Sequence, residues 1–339
     1  MKHILVYVTL FLTACVMLGL EISFGSVQIP FNKVIDTLIG VEIEETSWKL
    51  IILQSRLPRA LAALSAGAFL SVSGLLMQTL FRNPLAGPHI LGVSAGSSLG
   101  VAIVVLGFSL FGFTHVATNS AIVIVLASFV GGLAVLFLLF FISLRIKDML
   151  TVLIVGILLS AVSMAVVGIL QYLSPDQQVK AFLIWTLGSF DGVDMGEAQL
   201  MLLVGFALIS ALVFLLKPLN LLLVGEEYAR SMGLDLKKNR LMIMMIAGGL
   251  TALVTAFCGP IGFIGVVVPH FSRMIFKTFD HRHLWLSSVL IGINVMLFAD
   301  LVSHLPGSAQ ILPVNSITAL IGIPFIFWML IKKKIVNQV

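Results

Sequence analysis

The chain has 339 residues, 59% of them hydrophobic and only 10% charged, with mean hydropathy +1.14. Charged residues make up about a quarter of a soluble globular domain, so the composition excludes that class and implies a polytopic helical membrane protein. The net charge of +5 belongs to the basic loops that such proteins keep in the cytoplasm, and it calls for no nucleic-acid partner.

Runs of about 17–25 mostly apolar residues can cross a bilayer. Ten occur, at about 4–24, 60–81, 90–108, 119–142, 150–173, 197–216, 241–258, 261–277, 284–303 and 312–331. The first contains Leu12-Thr13-Ala14-Cys15, which resembles a lipoprotein cleavage site, but apolar residues continue through Val16–Leu20. It reads as an uncleaved first span. Cys15 and Cys258 both lie in apolar runs, so neither a disulfide framework nor a metal cluster is indicated.

Basic residues orient the spans. With the N-terminus inside, the cytoplasmic side holds Lys2, Arg82, Arg145, Lys147, Lys217, Arg230, Lys237, Lys238, Arg240, Arg273, Lys277, Arg282 and Lys332–Lys334. The outer side keeps Lys33, Lys49, Arg56, Arg59 and Lys180. This segregation predicts ten spans with both termini cytoplasmic, and outer segments at 25–59, 174–196 and 304–311.

Several stretches stand out along the chain. Arg56-Leu57-Pro58-Arg59 precedes the second span, with Pro58 suited to a first helical turn. The two arginines read either as an interfacial snorkelling pair or as a docking point for acidic residues of an external partner. Gly67 and Ser71 share one helix face, as do Gly92, Gly96 and Gly100, and such faces let helices approach closely. Phe81-Arg82-Asn83-Pro84-Leu85-Ala86-Gly87-Pro88-His89 predicts a tight, rigid inner turn. Trp185–Phe190 reads as a short outer-surface helix or an aromatic interfacial anchor.

The longest polar interruption is Leu219–Arg240. Lys217-Pro218 is expected to break the preceding helix. Glu226 and Glu227 then suit the positive end of a short helix, and Gly233 closes it. A short helix offered to the cytoplasm invites a partner. Gly259–Gly265 and Pro269-His270 place three glycines and two prolines in an apolar stretch, as happens where backbone lines a cavity or moves.

No Gly-x-x-x-x-Gly-Lys-Ser/Thr sequence occurs, so the chain does not cradle ATP phosphates itself. His281 and His283 are expected to be solvated in a cytoplasmic turn. Glu21 and Asp300, the carboxylates lodged in spans, are placed near the outer helix ends within reach of water. The path across the membrane is then neutral. A proton-driven secondary transporter working through Asp300 or Glu21 is the alternative from another class.

With these residues laid out, the chain resembles the permease subunits of ABC importers for ferric siderophores, haem and cobalamin. The resemblance rests on Arg56–Arg59, Gly74-Leu75-Leu76-Met77-Gln78, Phe81–Ala86, Leu91–Gly96, Trp185–Ser189 and Leu219–Leu222. It continues in Gly225-Glu226-Glu227 with Ala229-Arg230 and Gly233, Gly259–His270, Asp280–Arg282, Ala299-Asp300 and Thr318–Gly322.

The resemblance implies an all-α polytopic membrane protein of the type II ABC importer permease fold, a single domain over residues 1–339 in a bacterial inner membrane. It implies a permease dimer, expected to be a homodimer, with two cytoplasmic ATPase subunits that hold ATP and Mg, and an external solute-binding protein. The cargo is an iron chelate, with haem or cobalamin as alternatives, and the chain has no catalytic site of its own. Gly225, Glu226, Glu227, Ala229, Arg230 and Gly233 would form the ATPase-coupling helix. Arg56, Arg59 and His304 would dock the binding protein, His304 standing where close relatives carry a third basic residue and bringing sensitivity to pH. Gln78, Asn83, Pro84, Gly259, Pro260, Gly262, Gly265, Pro269 and His270 would line the pathway or gate. No metal site is expected. Asn315 departs from the glycine that many relatives carry.

Overall fold

The computed structural model describes residues 2–25, 27, 29–41, 45–110, 121–146, 148–304 and 311–336. Lys147 and residues 305–310 lie outside these, as do the side chains of Lys2 and Lys332–Lys334, so those parts of the charge count and of the last outer segment are not described.

All regular structure among the described residues is helical. Eight helices are long and apolar enough to cross a membrane. They are α1 (Lys2–Ser23), α3 (Thr46–Leu80), α4 (Val93–Leu110), α5 (Ala121–Arg145), α6 (Met149–Leu173), α8 (Met195–Val224), α10 (Leu236–Cys258) and α12 (His281–Ser303). Two shorter apolar helices, α11 (Ile264–Phe276) and the Val314–Met329 part of α13 (Val314–Val336), match the remaining two apolar runs. Among the described residues three α-helices are not spans: α2 (Phe31–Ile39), α7 (Asp176–Thr186) and α9 (Glu226–Ser231).

The core forms around α3, which is buried over almost all of its length from Pro58 to Leu80. Lipid tails are as apolar as leucine, so close backbone approach has to hold membrane helices together. Small residues provide it here. A Cβ on Gly67 would strike the carbonyl of Gly292 in α12, and one on Gly292 would strike the carbonyl of Gly67. Gly74 meets Gly265 of α11 as tightly. Two of the three stripe glycines lie in α4 as read, Gly96 seating against the backbone of Gly131 and Gly100 against that of Ala127 in α5, whereas Gly92, at φ +74°, precedes the helix.

Helix starts are set by aspartates. Asp148, Asp235 and Asp280 cap α6, α10 and α12 on the cytoplasmic side, each accepting from backbone N–H groups of the first turn. Asp194 forms a full capping box with Glu197 at the outer start of α8.

Four expectations are corrected. The outer segment 25–59 is not a loop up to the second span: α3 starts at Thr46 and runs on through Pro58. A π-helical stretch over Ile51–Arg56, in which Leu57 N–H reaches back to Ile52 O, widens the turn so that proline sits inside a continuous helix. Lys217-Pro218 likewise does not end α8; a 3-10 turn at Val213–Leu215 precedes it, and Pro218 falls in the first turn that follows, where its missing N–H costs little. The cytoplasmic loop therefore spans 225–235 rather than 219–240. Trp185–Phe190 is helical only at its start: α7 ends at Thr186, and Gly188 turns the chain at φ +72°.

Because Gly67 and Gly292 touch through backbone, Gly67→Ala is expected to destabilise the protein by about 1–3 kcal/mol. Gly168→Ala in α6, where an added methyl meets nothing within 4 Å, should leave it unchanged. Thermal unfolding of both variants in detergent makes the comparison.

Candidate functional site

Three groups of residues carry the expected roles, and the fold keeps them apart. The first is α9. Gly225, at φ +148° and ψ +149°, ends α8, and Glu226 and Glu227 then occupy the first turn of α9 against its positive end. Gly233 follows at φ +83°, and the N–H of Leu234 returns to Ala229 O at 3.0 Å. Ala229 is buried, whereas Glu227, Tyr228, Arg230 and Met232 are exposed along one side. Glu226 faces back into the protein and pairs with Arg240 at 2.5 Å. A cavity of about 220 Å³ lies under the helix, lined by Ile146, Met149, Glu226, Arg240 and Met244 among others. The short helix with its two glycine ends was legible in the sequence; the inward turn of Glu226 was not.

The second group lies at the outer ends of α1, α3 and α12. Arg59 pairs with Glu21, with Asp300 (Nε to Oδ2, 3.2 Å) and with Asp191 of the outer loop (3.8 Å). His304, just beyond α12, reaches Asp191 at 3.0 Å and Asp300 at 3.3 Å. Arg56 donates to the carbonyls of Ile22 (2.9 Å), Ser23 (2.7 Å) and Val27. Arg56, Arg59, Glu21 and Asp300 are all buried.

Two expectations fail here. Neither arginine snorkels to an interface, because each is closed in by protein acceptors. Glu21 and Asp300 do not meet water near the helix ends, since Arg59 inserts between them. Glu21, Asp300 and His304 also bring ligand-type atoms within 4.8 Å of one another, close enough for an ion to share. Arg59 already pairs with both carboxylates of that trio. Burial alone would lower the pKa of His304, but its hydrogen bonds to Asp191 and Asp300 raise it to about 10. Asp191 is held below its ordinary value against its own burial, chiefly by His304.

The third group surrounds α11. Its 13 residues rise about 20 Å, short of the ~30 Å hydrocarbon core. Its start is level with Gly74, whose added Cβ would strike the backbone of Gly265, and Gly74 stands six residues, about 9 Å, before the inner end of α3. The turn 259–263 that feeds α11 therefore dips into the membrane from the outer side. Gly259 (φ +72°) and Phe263 (φ +68°) both adopt left-handed backbone there. Pro269 removes the N–H that would have bonded Gly265 O. Gln78 Nε2 stands 3.5 Å from that freed carbonyl and 3.0 Å from Val266 O. Arg273 donates to Gln78 Oε1 at 2.5 Å, and His270 Nε2 lies 2.9 Å from Pro84 O. These residues line a cleft of about 600 Å³ with Thr79 and Arg82.

Of the predicted pathway residues, Gln78, Pro84, Gly265, Pro269 and His270 thus come together where the inner end of α3 meets the first half of α11. Asn83 holds the turn beside them by accepting from Leu85 N–H at 2.9 Å. Gly259, Pro260 and Gly262 lie in the dipped turn. His281 is corrected: it is buried at the start of α12, 2.8 Å from Thr79 Oγ1 and 2.9 Å from Asn220 Oδ1. His283 is exposed as expected. Three residues gained a place only through the structure. Asn220 ties α8 to α12, while His89 and Asn315 hold the dipped turn.

The FecCD transport family matches residues 11–332. A molybdate import system permease of Haemophilus influenzae is 34% identical, the match covering 97% of this chain and 95% of that one. A hemin transport system permease of Yersinia pestis is 35% identical, over 92% and 91% of the two chains. A vitamin B12 import system permease of Escherichia coli is 36% identical, over 84% and 85%. Among solved structures, a metal-chelate type ABC transporter in an inward-facing conformation superposes with TM-score 0.83 at 31% identity, covering 97% of this chain and 99% of that one.

The pKa of His304 sets a pH dependence. A raised folded-state value stabilises fully below the ordinary 6.5 and is lost as pH climbs through about 10. The gap in unfolding midpoint between the wild type and His304→Gln should be widest near pH 6 and close by about pH 11. A gap that stays constant over that range would mean that His304 is not charged in the fold.

Proposed function

The chain belongs to the FecCD transport family, and on that footing we propose that it carries a ferric siderophore or a similar iron chelate inward across the cytoplasmic membrane, driven by ATP hydrolysed on separate subunits. Membership makes it the permease component of an ABC importer, a family that works with ATPase subunits and a binding protein. The proton-driven alternative falls with that membership, and Glu21 and Asp300 are in any case held by Arg59.

The observation that carries the reading is α9: a glycine-bounded cytoplasmic helix with an exposed polar side, in a chain without a phosphate-binding motif. We assign this helix to the groove of an ATPase subunit, with Glu227, Tyr228 and Arg230 outermost and Ala229 at its base. Two copies of the chain would form the pore, one over each ATPase. The outer cluster is the docking region for the solute-binding protein. Arg56, Arg59 and His304 would engage it by trading internal acceptors for carboxylates of that partner. The iron chelate is favoured because the structural neighbour is of metal-chelate type; haem, cobalamin and molybdate are the cargoes that relatives name.

Uptake of labelled ferric siderophore, haemin, cobalamin and molybdate, in cells with and without the chain, separates the cargoes. Loss of ferric siderophore alone is the expected result. The paired substitution Glu226→Lys with Glu227→Lys should lower uptake by about tenfold or more while the protein stays folded; unchanged uptake would remove α9 from the coupling role. Arg59→Gln should weaken capture of the binding protein, more at low salt than at high. Equal capture at both ionic strengths would leave the cluster a purely internal one.

A further inference from the structure

The turn 259–263 lies at membrane depth without regular structure, so its backbone groups need partners other than lipid. Five hydrogen bonds from three distant parts of the chain involve this turn and the residues that hold it. Ser189 N–H donates to Cys258 O at 3.0 Å. His89 Nε2 stands 2.8 Å from Ile261 O, while its Nδ1 is 2.9 Å from Ser94 Oγ. Asn315 Oδ1 accepts from Gly262 N–H at 3.0 Å, and the Asn315 N–H donates to Leu187 O at 3.3 Å.

The hydrogen-bonding sets the imidazole: with Nε2 facing a carbonyl, the proton is on Nε2 and Nδ1 accepts from Ser94. Both side chains come from elements that enter the membrane from opposite sides. His89 begins the re-entrant 3-10 turn Pro88–Leu91 ahead of α4, and Asn315 begins α13. Ile261 is buried, but His89, Asn315 and Gly262 are only half-buried, so this junction borders open space rather than core. Polar side chains beside irregular backbone at that depth mark a lined cavity.

We propose that His89 and Asn315 are positioning residues of the transport path: together they latch the turn 259–263, and their two hydrogen bonds break when the path changes its open side. This rests on the importer reading above, and it adds two residues outside the pathway set predicted from the sequence, with the role of holding the turn 259–263. Substitution of Asn315 by glycine leaves Gly262 N–H to water, which the half-open site can supply. The latch then weakens without a collapse of the fold.

Cys258, buried in the last turn of α10 and bonded through its carbonyl to Ser189, is a native reporter of the turn. With the exposed Cys15 replaced by Ser, labelling of Cys258 by N-ethylmaleimide is followed in the complete complex, at rest and with the ATPase trapped by ATP and vanadate. The expected result is slow labelling at rest and faster labelling when trapped. His89→Ala and Asn315→Gly should each raise the resting rate about two- to tenfold, the factor for one lost hydrogen bond. His89→Gln, which keeps a donor for Ile261 O, should restore it. Equal labelling in both states, or resting rates that neither variant changes, would overturn the latch. If no cargo is taken up yet labelling still responds to His89 and Asn315, the importer reading fails, and with it the transport role of the latch, while the hold of these two residues on the turn stands. Size-exclusion profiles identify any variant that is misfolded, and for such a variant Asn315→Ser serves as the milder replacement under the same criteria.

Discussion

Backbone polar groups have nowhere to go in hydrocarbon, and that constraint organises this molecule. Helices meet it along most of the chain. Where the chain leaves the helix at depth, around 81–92 and 259–263, side chains take over. Gln78 bonds the carbonyls near Pro269, His270 that of Pro84, His89 that of Ile261, and Asn315 the N–H of Gly262. The same constraint explains the glycines. Helices that cannot gain from hiding apolar surface gain by close contact, and Gly67, Gly74, Gly265 and Gly292 bring α11 and α12 against α3.

The two ends of α10 tie separate parts of the protein together. At its cytoplasmic end Arg240 holds Glu226 of α9; at the other, Cys258 leads into the dipped turn. A helix of 23 residues is about 35 Å long and stiff on the scale of a loop. The Glu226–Arg240 pair and the start of the dipped turn thus sit at opposite ends of one helix. Asp235, capping the same helix, keeps that end from fraying.

Much of this was legible in the residues. Ten crossings follow from apolar runs, their orientation from lysine and arginine, and α9 from carboxylates set between Gly225 and Gly233. What sequence misplaces is local helix continuation and long-range pairing. Pro58 and Pro218 read as helix edges, yet a π turn and a 3-10 turn absorb them, and neither has a sequence signature. Glu21 and Asp300 read as solvent-reaching because each lies near a helix end. Nothing in a linear reading says that Arg59, 38 residues from Glu21, stands between them. His281 and Asn220 were hidden in the same way, by a contact between α8 and α12.

The cluster around Arg59 also has a meaning in time. A membrane protein is inserted from its N-terminus, so Glu21 enters the bilayer with α1 before any partner exists. Arg59 follows with the next crossing and joins it, but Asp300 arrives only with the ninth. Until then the guanidinium lacks one of its two buried carboxylates. One of the last helices to arrive thus closes an ion-pair cluster begun by the first.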